Sequence, residues 1–129
     1  MNAPLLVLNL ALTVLFLIAT ILSGHRGKRR AHYVLVVITV VMLALAITQA
    51  ELFGRDFTFE ALRLQIHLGF AFTALASLPG VIWSGLALRT RPSARPKHKF
   101  WVWSFVGLTV MAVITALWML SNAVPITEA

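Results

Sequence analysis

The sequence predicts an all-α integral membrane protein, a bundle of four transmembrane helices with both chain ends on the outer side. Three observations predict it. Four apolar stretches, 4–22, 33–50, 64–88 and 100–124, contain no Asp, Glu, Lys or Arg. Each is close to the roughly 20 residues that cross a hydrocarbon core about 30 Å thick. Only 12% of the 129 residues are charged, against about 25% in soluble domains, and the mean hydropathy is +0.89. The charges that remain are segregated into the short gaps between apolar runs. This length suits one domain, 1–129, with helices at about 4–22, 33–50, 60–88 and 100–121.

The first helix has no charged side chain ahead of it, and its basic cluster follows the apolar run. A secretory signal has the reverse order, so the segment reads as a retained helix with a stop-transfer flank. The first loop, 23–32, holds Arg26, Lys28, Arg29 and Arg30 and no acid. The third, 89–99, holds Arg89, Arg91, Arg95, Lys97 and Lys99 and no acid. The second, 51–60, holds Glu51, Asp56 and Glu60 against Arg55 alone. Basic short loops stay in the cytoplasm. Both termini, including Glu128, are then expected on the periplasmic side of a bacterial inner membrane.

The third helix contains Pro79-Gly80. Proline removes a backbone donor and clashes with the preceding turn, which predicts a kink there. Pro92 and Pro96 predict an extended or turn-like connector through the third loop. Trp101 and Trp103 stand where an interfacial anchor belongs.

The net charge of +7 belongs to these loops. Anionic lipid headgroups are the partners it implies, and no nucleic-acid module is present. The absence of cysteine excludes disulfides, thiolate metal sites and covalent c-type haem within the chain. No nucleophile–base pair or phosphate loop appears, and no mid-helix carboxylate marks an ion-coupled transporter. An enzyme is therefore not the favoured class.

Four histidines remain as candidate chemistry. His25 ends helix one, His32 starts helix two and His98 precedes helix four, all at the cytoplasmic level. Neutral imidazole ligates haem iron and copper. Contacts to lipid phosphate would equally account for these three. His67 lies about two turns inside helix three, roughly 9–10 Å below the outer interface. An ionisable group at that depth is a functional candidate, with an interhelical hydrogen bond as the plainer explanation. Gln49 and Glu51 fall at a similar level, so His67, Gln49 and Glu51 form a candidate metal set. A second copy of the chain is a further candidate partner, and helix faces apolar on all sides leave the rotation of each helix open.

The segments Gly27-Lys-Arg-Arg-Ala-His-Tyr33, Leu64-Gln-Ile-His-Leu-Gly69, Lys97-His-Lys-Phe-Trp-Val-Trp103 and Val113-Ile-Thr-Ala-Leu-Trp-Met-Leu120 resemble the YozB/CtaM-like family of small four-helix bacterial membrane proteins. The resemblance spans roughly residues 5–121. It implies an accessory role in assembling a haem–copper terminal oxidase, with the oxidase or its assembly factors as partners and haem or copper as ligand. It carries over to His32, His67 and His98, and less closely to His25. The family's further His at the outer end of helix two is replaced here by Thr48, Gln49 and Glu51. Two other readings stand beside it: a b-type haem electron-transfer protein, and a cofactor-free structural subunit of a membrane complex. A diheme protein needs two His at each face, whereas the expected split is three inside and one outside.

Overall fold

The computed structural model describes residues 3–126; Glu128 lies outside them. Four long helices account for nearly all of it: α1 (Ala3–His25), α2 (Arg29–Gly54), α3 (Ala61–Leu88) and α4 (Arg95–Leu120). All four are long and apolar enough to cross a membrane. The chain is thus a multi-pass all-α membrane protein. Two-residue strands, β1 (Phe57–Thr58) and β2 (Val124–Pro125), form a short pair. Contacts divide the chain into two compact units. The first runs to Phe57 and is rejoined at Pro125; the second is Thr58–Val124. Each unit is one antiparallel helical hairpin, α1 on α2 and α3 on α4.

The first hairpin closes more tightly than the loop lengths suggest. Lys28 N–H donates to the Ser23 carbonyl (3.0 Å) and Gly27 N–H to the Gly24 carbonyl (3.2 Å). This pair of bonds is a Schellman cap, and it needs a left-handed residue at its centre. Gly27 supplies it, with φ of +73°. Helix α2 therefore begins at Arg29, four residues before the expected start, and runs on to Gly54.

The third loop is likewise more helical than expected. Pro92 opens a 3-10 turn, Pro92–Ala94, and α4 starts at Arg95 with Pro96 in its first turn. The N–H that proline lacks has no intrahelical partner at a helix start, and its φ is already helical. Both prolines here begin helices instead of preventing them. Pro79 lies inside α3, which continues without a break through Pro79-Gly80.

Arg29 and Arg30 open α2, and Arg95 and Lys97 open α4. Cations at a helix N-terminus oppose the macrodipole, by about 0.3–1 kcal/mol each when exposed.

The hairpin interiors invert the soluble pattern. Among the described residues, the buried polar side chains (Asn9, Thr13, Thr20, Ser23, Thr39, Ser77, Ser84 and Thr115) outnumber the buried apolar ones (Leu6, Ala46, Ala74, Phe105 and Met119). Large apolar side chains such as Val7, Val37, Phe72 and Leu117 point outward. Lipid is as apolar as leucine, so burial of leucine gives no drive to pair helices. Small residues that allow close approach, and hydroxyls that bond across, do so instead. Most hydroxyls also bond backwards along their own helix, as Thr13 does to Asn9 O (2.7 Å) and Thr115 to Met111 O (2.8 Å). Thr20 spends its proton on Phe16 O (2.6 Å), so the 2.9 Å contact with Thr39 has Thr39 as donor, from α2 to α1.

Candidate histidine sites

His32 is the fourth residue of α2, and it faces the last turn of α1. Its Nδ1 lies 2.8 Å from the Thr20 carbonyl oxygen and 3.3 Å from Ser23 Oγ. A carbonyl only accepts, so Nδ1 of the neutral ring carries the proton and Nε2 keeps the lone pair. The ring rests on Gly24. A Cβ at Gly24 would fall 2.9 Å from His32 Cε1, inside van der Waals contact.

The second hairpin repeats this arrangement. His98 is the fourth residue of α4. Its Nδ1 lies 3.0 Å from Ser84 Oγ, and a Cβ at Gly85 would fall 3.0 Å from its Cε1. Ser84 Oγ also lies 3.1 Å from Val81 O, on its own helix. Each hairpin thus has a Ser-Gly step near the end of its first helix, and an imidazole at the fourth position of its second helix closes over it. The Ser-Gly dipeptides 23–24 and 84–85 are the sequence signal for this clasp. They stand at different distances from their histidines, which hides the repeat in a linear reading.

At the other end of each hairpin the units diverge. In the second, His67 Nδ1 lies 2.9 Å from the Ala112 carbonyl and 3.2 Å from Thr115 Oγ1. The same logic puts the proton on Nδ1 and the lone pair on Nε2. In the first, Asn9 Nδ2 donates to Gln49 Oε1 (2.8 Å). Gln49, considered with His67 and Glu51 as a metal set, thus gives its amide oxygen to α1. Glu51 pairs with Arg55 at 3.0 Å on an exposed turn. His25 is exposed at the end of α1. Among the described residues, no three or more His, Cys, Asp or Glu side chains gather as a metal site. Within the second unit, His98 meets Ser84, seventeen residues along α3 from His67. At 1.5 Å per residue the two imidazoles are roughly 25 Å apart along the axis, so they cannot share one metal.

No family model, curated protein or solved structure matches this chain. The site must be read from its own geometry.

One residue that composition alone misplaces is Arg63. By charge counting it is an exception, a cation just after the acidic second loop. In the structure its Nε pairs with Glu60 (2.9 Å). Its Nη1 donates to Trp118 O (2.9 Å) and Ser121 Oγ (3.1 Å), and the guanidinium sits 4.8 Å from the centre of the Trp118 ring. It closes the open carbonyl end of α4.

The glycines of the clasp are testable apart from the histidines. Gly24→Ala is expected to push the His32 ring off the Thr20 carbonyl and to destabilise the first hairpin by about 1–3 kcal/mol. Gly107→Ala is the control. A Cβ there meets nothing within 4 Å, so helix propensity predicts no loss and up to about 1 kcal/mol gained. Thermal unfolding in detergent, followed by circular dichroism, reads both.

Proposed function

We propose that this protein is a non-enzymatic accessory protein for assembly of a respiratory haem–copper oxidase. It would lie in a bacterial inner membrane, with both termini periplasmic, and would present histidine nitrogen to haem iron or copper. The observation that supports this best is the contact of His32 and His67 Nδ1 with a backbone carbonyl, at 2.8 and 2.9 Å. A backbone carbonyl holds the proton on Nδ1, and this leaves Nε2 as a neutral donor of fixed orientation. Carbonyl-anchored imidazole is the arrangement in which a ligating His has its tautomer and ring orientation set by its other nitrogen. The YozB/CtaM-like resemblance supplies the oxidase context.

The donor set fits a passing ligand better than a stored one. A closed structural site assembles four protein ligands, whereas the three clasped imidazoles here stand singly, each at a different hairpin end. Haem or copper held by a single nitrogen would need its remaining ligands from a partner, as a hand-off to an oxidase subunit requires. In that role this chain's residues do three things. The clasp fixes the ring, the small residues beneath it keep the helices close, and the Nδ1 contact leaves Nε2 as the nitrogen open to a ligand.

A second reading, the cofactor-free structural subunit, is favoured by the clasps themselves, since interhelical bonding alone accounts for His32, His67 and His98. Asparagine separates the two. Its amide N–H takes the place of Nδ1–H and has nothing at the position of Nε2. In the triple variant His32→Asn, His67→Asn, His98→Asn, helicity and the unfolding midpoint are expected to stay near wild type. Affinity for Cu(I) or haemin should fall by more than about tenfold, the scale on which even outer-shell changes act. Terminal oxidase activity in cells should fall with it. Unchanged oxidase activity in that variant would establish the structural subunit. A sharp reduced b-type band in the purified protein would establish the electron-transfer alternative. A reporter fused after the last residue should read as external.

A further inference from the structure

The second unit holds a cavity beside the His98 clasp, with which it shares Ser84. It encloses about 240 Å³ between the end of α3, the 3-10 turn and the start of α4. Trp83 and Trp101 form its aromatic walls, and Arg91, Ser93 and Lys97 line its polar side. Among the described residues neither Arg91 nor Lys97 has an acidic partner, and residues 89–99 contain no acid at all. The positive end of the α4 dipole lies at the same place. Two cations without an acidic partner and a serine line one hollow beside a helix N-terminus, a lining that suits an anion.

The walls narrow the class of anion. Trp83 is 80% exposed on a helix that crosses the membrane, so its outer face meets lipid. Indole rings at the basic end of a transmembrane helix favour the headgroup level of the bilayer. A free inorganic anion would make no use of such walls. The volume is below the roughly 300–1,000 Å³ of pockets that enclose whole drug-sized molecules. It admits a headgroup with the rest of the molecule outside, and it is too small for a macrocycle.

We propose that this cavity seats the phosphate of an anionic membrane phospholipid. Arg91 and Lys97 hold the phosphate oxygens, Ser93 donates to them, and the two tryptophans pack along the glycerol and upper acyl chain. This makes the turn between α3 and α4 a lipid site of defined stoichiometry, separate from general attraction of the basic loops to a charged surface.

Native mass spectrometry of the whole protein tests it, in micelles doped with equal amounts of phosphatidylglycerol and phosphatidylcholine. One phosphatidylglycerol per chain should be retained in preference to phosphatidylcholine. The double variant Arg91→Gln, Lys97→Gln should lose the preference, by about fivefold for each cation removed. Arg26→Gln with Lys28→Gln, in the first unit, should keep it. Ala87→Leu fills the cavity from α3 and leaves every charge in place, and it should also abolish retention. Equal retention of the two lipids overturns the proposal. So does an equal effect of the first-unit variant, or persistence of the preference in Ala87→Leu. Displacement of the lipid by millimolar inorganic phosphate, seen as a phosphate adduct, would assign the cavity to the free anion and overturn the lipid assignment.

Discussion

Gly80→Ala is expected to destabilise the α3–α4 hairpin, although alanine is the better helix former. In an open helix interior the exchange would gain about 1 kcal/mol. Here a Cβ would land against Cδ2 and Cε3 of Trp101, and 2.7 Å from Cε2. An indole is rigid, so it cannot give way at a flexible tip, and the helices must part or the ring must leave its rotamer. Overpacking of this kind costs about 1–3 kcal/mol, which exceeds the propensity gain. The unfolding midpoint of Gly80→Ala should fall, and the Trp101→Leu, Gly80→Ala double variant should recover part of the loss. Additive losses in the double variant would mean that the ring does not rest on Gly80. The result also bears on Pro79-Gly80 as a unit. In the structure Gly80 gives Trp101 a flat seat on α3.

Arg63→Met should produce the other large effect. The Arg63 side chain is 20% exposed, and its guanidinium serves Glu60, two acceptors at the end of α4 and the face of Trp118 at once. A hydrogen bond from a charged donor contributes about 1.5–3 kcal/mol. A cation–π contact adds about 0.5–1 kcal/mol at an accessible site. The exposed Glu60 pair adds little. A loss of roughly 2–3 kcal/mol is expected, with Trp118 fluorescence shifting as the indole loses its cover. Arg63→Lys retains the charge without the planar fork, so about half the loss should remain. If Met and Lys behave alike and lose nothing, the cap is not a stabilising contact.

These two residues show where a linear reading stops. Charge counting says nothing about Arg63 beyond which side of the membrane a cation prefers. Its contacts come from Trp118 and Ser121, more than fifty residues away, and sequence spacing does not express them. The histidines were visible as candidates, since they are rare polar groups in an apolar chain. Their hydrogen-bond partners were not. Thr20 and Ala112 contribute backbone carbonyls, which every residue possesses, and Ser84 contributes one hydroxyl among many along the helices. Pro92 and Pro96 were read as breakers, because proline has opposite meanings inside a helix and at its first turn. Only the position of the helix start chooses between them.

By itself the sequence determined the number of long helices, their apolar character and the segregation of charge between turns. Those properties follow from transfer of each segment from water to hydrocarbon, a sum over composition in which neighbours hardly matter. Tertiary structure alone decided which small residues lie under which rings, and so which nitrogen of His32 and His67 keeps its lone pair. Pairing within a membrane rests on close approach and on single hydrogen bonds, with no hydrophobic drive to mark the face. Helices that are apolar on every side leave that choice to geometry.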